Sequence, residues 1–211
     1  MQLTPVQVRI LGCLIEKERT TPDNYPLTMN GLLSACNQTT NRYPVVTFTE
    51  ATVSNALLNL RSQNLLRIDY SRSGRADKYR HVLASELDLD DAEISLLAVL
   101  MLRGPQTSAE LRTRSERLHA FADQDTVDAV LARLAARPEP LAVRLSARPG
   151  QKEARWAHLL GGEVSPEDIP VPAASAASQS RTERIEALEA AMQDLTAEVA
   201  QLKARLDELL S

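Results

Sequence analysis

The sequence predicts a mainly α protein with small β-hairpins: two tandem winged-helix domains followed by a C-terminal coiled-coil helix. Three observations carry this. Residues 1–86 read as three amphipathic helices and then two short alternating segments, the same plan recurs over residues 87–162, and residues 181–211 hold four uninterrupted heptads.

Thr4-Pro5 opens the first helix, Thr as N-cap and Pro at the first helical position. Val8, Leu11, Leu14 and Ile15 then recur at helical spacing to about Lys17. The polar stretch from Thr20 to Pro26 breaks the helix. Thr28 caps a second one with Leu32, Leu33 and Cys36 on its buried side, and Asn37 to Pro44 is a polar turn region. Thr49 precedes a third helix over residues 50–64, with Val53, Leu57 and Leu60 as its apolar stripe. The period then changes from helical to alternating. Leu66 to Tyr70 and Lys78 to Leu83 alternate around a basic turn at Gly74, as a β-hairpin requires.

The second domain repeats the first. Ile94, Leu96, Leu97 and Leu100 lie 86 residues after Val8, Ile10, Leu11 and Leu14, and Gly104-Pro105 ends their helix. Thr107 or Ser108 caps a second helix carrying Leu111. A third runs from Asp123 to Arg137, its Val127, Leu131 and Leu134 lying 74 residues after Val53, Leu57 and Leu60. Leu141 to Leu145 and Ala154 to Leu160 form the second hairpin. Its Trp156, His158 and Leu160 match Tyr79, His81 and Leu83 at a shift of 77. Changing offsets mean small insertions in loops, where insertions are tolerated.

Residues 163–180 are rich in Pro, Ala and Ser without periodicity and read as a flexible linker. Beyond it, Ile185, Leu188, Met192, Leu195, Val199, Leu202, Leu206 and Leu209 alternate spacings of three and four. Ile and Val at two a positions with Leu at every d favour a parallel two-stranded coil. In that register Arg184 faces Glu189 of the other helix, and Glu198 faces Lys203. The alternatives are an amphipathic helix docked on its own domains and pairing with a different protein.

Composition narrows the function classes. Seven glycines, seven aromatics and two cysteines in 211 residues disfavour Gly-rich phosphate loops, base-stacking platforms for single-stranded RNA, disulfide frameworks and four-Cys zinc sites. The start of the chain has no basic n-region, and the longest apolar stretch, Ile94 to Leu102, is about half a membrane span. A cytoplasmic protein with no membrane contact is expected. The net charge of −4 is uneven: residues 1–86 carry +3 and residues 87–162 carry −1, while 163–180 and 181–211 carry −3 each.

Thr20-Thr21-Pro22-Asp23-Asn24-Tyr25-Pro26-Leu27, then Ala35-Cys36-Asn37-Gln38-Thr39-Thr40-Asn41-Arg42 and Pro44, resemble the YceH family of bacterial proteins. So does Leu102-Arg103-Gly104-Pro105-Gln106-Thr107 running into Glu110-Leu111-Arg112-Thr113-Arg114. The resemblance covers essentially the whole chain and implies the tandem winged-helix architecture. No family catalytic or ligand residue is carried over by it.

Winged helices place the third helix in the major groove and the hairpin wing on a neighbouring groove or phosphates. Here the third helix of the first domain offers Thr52, Asn55, Asn59 and Arg61 off its apolar stripe, and the wing offers Arg72, Arg75 and Lys78. These types read base edges and phosphates, although a solvated helix face and an ordinary charged turn have the same composition. Asn41 and Arg42 are candidate phosphate or partner contacts beside the third helix, or simply the turn after the second. In the second domain Asp123, Asp125 and Asp128 repel phosphate, and Arg112, Arg114 and Arg117 form a basic stripe on another helix. That domain reads as an interaction or spacing module.

Catalytic signals are sparse. His81, His119 and His158 have no ligand partner at metal spacing, and His81 and His158 occupy equivalent repeat positions, which indicates a shared structural role. Cys13 and Cys36 lie on apolar helix faces and read as small core residues. The expectation is a non-enzymatic homodimer, without cofactor or metal, that binds double-stranded DNA. A protein-interaction scaffold using the same domains and coil is the alternative.

Overall fold

The computed structural model describes residues 2–71, 76–147, 153–162 and 164. The chain divides into two compact units, Met1–Ile169 and Pro170–Ser211. The second unit, and with it every heptad position from Ile185 to Leu209 and all but Val164 of the proposed linker, lies outside the described residues.

The first unit is mainly helical with two small antiparallel sheets. In chain order it has α1 (Pro5–Thr20), a single 3₁₀ turn (Pro22–Asn24), β1 (Leu27–Thr28), α2 (Met29–Cys36), α3 (Glu50–Ser62), β2 (Leu66–Asp69), β3 (Lys78–His81) and α4 (Leu83–Glu86). There follow α5 (Asp91–Arg103), α6 (Ser108–Ser115), α7 (Gln124–Ala135), β4 (Ala142–Leu145) and β5 (Arg155–His158). The helices begin where short polar side chains satisfy the free N–H groups of the first turn. Thr4, Thr28, Thr49, Asp90, Thr107 and Asp123 each accept from a backbone N–H three residues on. Three of these caps are reciprocated by Gln7, Glu93 and Glu110. At the end of α5 the chain turns through Gly104 at φ 73°, a conformation that costs glycine little.

Both sheets follow one plan. In the first, the order is β1-β3-β2, with Leu66 opposite His81 and Asp69 opposite Lys78. In the second, β4 pairs with β5, placing Ala142 opposite His158. Where β1 meets β3 through Leu27 and Tyr79, the second half has a bridge between Gln106 and Trp156. Leu27 and Gln106 each precede the threonine that caps the next helix. The internal repeat thus extends to main-chain pairing. The two-residue β1 and four-residue α4 are too short for periodicity in the sequence to reveal.

The two halves share one apolar core that runs from Leu3 to Leu160. Its centre is α1 against α5, and both are buried on every side: Gln7 through Ile15 in α1 and Glu93 through Leu102 in α5. Such all-round burial marks helices inside a core rather than on its surface. The axes approach at Gly12, where an added Cβ would lie 3.0 Å from Leu102 side-chain atoms and 3.2 Å from the Met101 Cβ. Gly12→Leu is therefore expected to force the helices apart and lower stability by about 1–3 kcal/mol, read as a lower urea midpoint. The halves are also laced by hydrogen bonds. Leu3 N–H donates to Leu160 O at 2.7 Å, and Tyr43 N–H donates to Leu102 O at 2.8 Å.

Candidate nucleic-acid interface

The third helix of the first half is set by its entrance. The Asn37 side chain, at the end of α2, acts as a substitute backbone amide for Phe48: its Nδ2 donates to Phe48 O at 3.0 Å and its Oδ1 accepts from Phe48 N–H at 2.8 Å. Thr49 then caps α3, accepting from Thr52 N–H at 3.2 Å, while the two hydroxyls meet at 2.9 Å. Val53, Ala56, Leu57 and Leu60 face the core. This leaves Asn55, Leu58, Asn59 and Arg61 exposed and Thr52 half-buried. The Asn55 and Asn59 amides, one helical turn apart, hydrogen-bond to no other side chain or backbone group among the described residues.

The adjoining hairpin has two faces because strand side chains alternate. Leu66, Ile68, Tyr79 and His81 turn inward, and Arg67, Asp69, Lys78 and Arg80 share the outer face. Asp69 lies 3.4 Å from the Arg80 guanidinium, so this acid is engaged. Lys78 is exposed and forms no ion pair among the described residues. Arg61 lies over the Tyr70 ring, 5.8 Å from its centre, which joins the end of α3 to the hairpin. Arg67 and Arg80 were not among the sequence candidates, though alternation out of phase with Leu66 and Ile68 identifies them. Arg72 and Arg75 lie outside the described residues.

Of the remaining pair, Arg42 is corrected by the structure. Arg42 is no surface contact: its side chain is 0% exposed. Its Nε donates to Ala35 O at 3.0 Å, its terminal nitrogens donate to Glu16 at 2.6 and 3.1 Å, and one also reaches Gln38 Oε1 at 2.6 Å. Every direction a phosphate would use is occupied. Asn41 is exposed and takes the left-handed conformation at φ 60°, consistent with a turn, and its Oδ1 accepts from Arg103 in α5. Burial pushes the Glu16 carboxyl up, but the Arg42 hydrogen bonds and charge outweigh it and hold the group below the usual carboxylate range.

In the second half the charged side chains maintain the structure. Arg112 donates to Ala122 O, Arg114 to Gln106 and Glu110, Arg133 to Asp90 and Glu93, and Arg137 to the Leu87 and Asp88 carbonyls. Asp123 caps α7 and Asp128 accepts from Ser108. Arg112 and Arg114 of α6 are thus committed to internal partners, unlike the open α3 face, and Arg117 lies beyond the end of α6 at Ser115.

The two equivalent histidines close their hairpins. His81 is buried; its Nε2 lies 2.8 Å from Glu18 Oε2, and its backbone N–H donates to the Tyr25 hydroxyl at 3.0 Å. His158 has an Nδ1 without solvent or a hydrogen-bond partner, and burial holds its ring neutral, with a pKa pushed down to about 4. Cys13 and Cys36 are both buried, and the Cys13 thiol donates to Ala35 O at 3.3 Å. Among the described residues no group of three His, Cys, Asp or Glu is placed to hold a metal ion. None of their helices is long and apolar enough to cross a membrane.

Comparison with known proteins returns relatives along the whole chain. Residues 3–151 match the family described as a protein of unknown function, DUF480. A UPF0502 protein of Geobacter sulfurreducens is 50% identical over 191 residues, covering 89% of this chain and 87% of the relative. One from Geotalea uraniireducens is 47% identical over 215 residues, covering 100% and 98%. The UPF0502 protein YceH of Salmonella newport is 42% identical over 215 residues, covering 100% and 97%.

Proposed function

The chain belongs to the DUF480 family, whose bacterial relatives carry the UPF0502 name, and from that premise we propose that it is a tandem winged-helix protein that binds double-stranded DNA through its first half. The observation that carries the reading is the open face of α3. The Asn55 and Asn59 side chains are exposed, and their amides are without a hydrogen-bond partner among the described residues, on a helix ahead of a hairpin whose outer face bears Arg67, Lys78 and Arg80. Asparagine amides match the donor and acceptor pair of adenine in the major groove, and the hairpin cations suit phosphates. The order of three helices and a hairpin supports the winged-helix assignment. The second half, its arginines and aspartates largely tied internally, acts as a spacing or interaction module.

In this reading the protein works by binding, in the cytoplasm, without catalysis or cofactor. Pairing of residues 181–211 as a parallel coil would join two copies and raise their joint affinity through effective concentration. The protein-scaffold alternative draws on the exposed Leu58, 58% accessible in the middle of the α3 face, since an apolar side chain there also suits a protein surface.

The test is fluorescence anisotropy of the full chain on random duplex DNA across a salt series, with selection of preferred sequences. Binding that weakens steeply with salt is expected. Lys78→Ala, Arg72→Ala and Arg75→Ala should each weaken it on every sequence and reduce the salt slope by about one. Asn59→Ala should instead change the preferred sequence, and deletion of residues 181–211 should halve the number of chains in the sedimenting particle. Binding unaltered by all four substitutions overturns the assignment. A stoichiometric protein partner without DNA binding at low salt selects the scaffold.

A further inference from the structure

The open face of α3 carries a side chain to which base-edge hydrogen bonds and phosphate contacts assign no role. Leu58 is 58% exposed in the second half of the helix. At 3.6 residues per turn Asn55 lies between Leu58 and Asn59 around the axis, so the three form one continuous patch. Leu58 shares a flank of the helix with Arg61, whose guanidinium lies over the Tyr70 ring at the end of β2. The hairpin on that side nevertheless leaves Leu58 open. Ala51 and Ser62, the exposed residues in line with the patch, are small, so Leu58 is the largest apolar group on the face.

The patch has the chemistry of one base pair. Its centre is uncharged: Glu50 stands at the start of α3, and Arg61 near its end is engaged with Tyr70. Guanine is read by Arg or Lys, and the centre of the face offers neither. The amides of Asn55 and Asn59, without a hydrogen-bond partner among the described residues, match N6 and N7 of adenine. The base paired with adenine bears the one apolar group on the major-groove edges, the C5-methyl of thymine. A leucine beside two asparagines therefore offers each half of an A·T pair what it requires. Arg67 and Lys78 on the outer face of the hairpin, and the +3 charge of residues 1–86, add attraction for a polyanion that an apolar protein surface would leave unused.

Resting on the reading of α3 as the helix that enters the major groove, we propose that Leu58 is a specificity-determining residue. It packs against a thymine C5-methyl next to adenines read by Asn55 and Asn59, and the target is duplex DNA with adjoining A·T pairs.

The experiment selects preferred sequences from random duplex DNA with the full chain. It then measures anisotropy on the selected duplex with each thymine replaced in turn by deoxyuridine, which removes the methyl and keeps every hydrogen-bonding group and charge. Adjoining A·T pairs are expected in the selected sequences. At one thymine the replacement should weaken binding about fourfold, the effect of leaving one methyl-sized group unburied. Leu58→Ala should bind the thymine duplex more weakly and lose the response to deoxyuridine at that position, whereas Lys78→Ala should weaken every duplex and keep the response. Selected sequences without adjoining A·T pairs, or deoxyuridine tolerated at every thymine, overturn the proposal while leaving DNA binding in place; neither result depends on a variant. A deoxyuridine penalty undiminished in Leu58→Ala also overturns it. Failure of the unaltered chain to bind any duplex at low salt removes the DNA reading itself, and this proposal with it.

Discussion

Replacing Arg42 with methionine is expected to cost about 3–5 kcal/mol of stability, the range for removing one partner from a buried ion pair. The Arg42 side chain has no solvent exposure and its partner Glu16 has 15%. Without the guanidinium the Glu16 carboxylate keeps its desolvation and loses the hydrogen bonds that held it ionised. Ala35 O retains only the weak Cys13 thiol, and Gln38 and the Asn41 carbonyl lose a donor as well. Arg42→Met/Glu16→Met should recover part of the loss, because it removes the stranded charge, but not all, because those oxygens still lack the guanidinium donors. Urea denaturation at pH 7 distinguishes these outcomes. A loss below about 1 kcal/mol would mean that the pair behaves as an exposed one.

The same pair gives acid its effect. The folded Glu16 carboxyl titrates below its unfolded value, so the unfolded chain binds the proton first as pH falls. The contribution is therefore fully present above the ordinary carboxylate range and disappears as pH drops through the folded value. In Arg42→Met that acid-labile portion should be absent.

Arg42 also marks where local reading stops. The helix starts were legible because caps are local: Thr4-Pro5, Thr28 and Thr49 each lie within three residues of the N–H they satisfy. The open α3 face was legible for the same reason, since the phase of Val53, Leu57 and Leu60 determines where Asn55 and Asn59 point. A basic residue in a polar run reads as surface, and what buries Arg42 is Glu16, 26 positions earlier on another helix. Stacking of Arg61 on Tyr70 is likewise non-local. The shared core does leave one mark in the sequence. From Val8 to Ile15 and from Ile94 to Leu102 the apolar residues fill more than a single stripe, which is more than one side of a surface helix requires.

That excess bears on the last expectation: residues 1–86 alone should not fold cooperatively, although they contain three helices and a hairpin in complete order. Helix α1 packs more extensively on α5 than on any other element. Cutting after residue 86 exposes the side of α1 around Val8 and Gly12 that faces Leu100, Met101 and Leu102. It also removes the Leu160 and Leu102 acceptors of Leu3 and Tyr43, and the Asp91 partner of Arg19. Each aliphatic side chain returned to water forfeits about 1.5–3 kcal/mol. Two or three of them equal much of the roughly 5–15 kcal/mol by which a whole domain is stable. Residues 1–162, keeping both central helices, should retain a single sharp transition in urea by circular dichroism, and residues 1–86 should show a broad one or none. A sharp transition in 1–86 near the full-length midpoint would mean that the shared core is dispensable to the first half. Without such a transition, the α3 face exists only when both halves are present, and its DNA contacts must be dissected by point substitution in the intact chain.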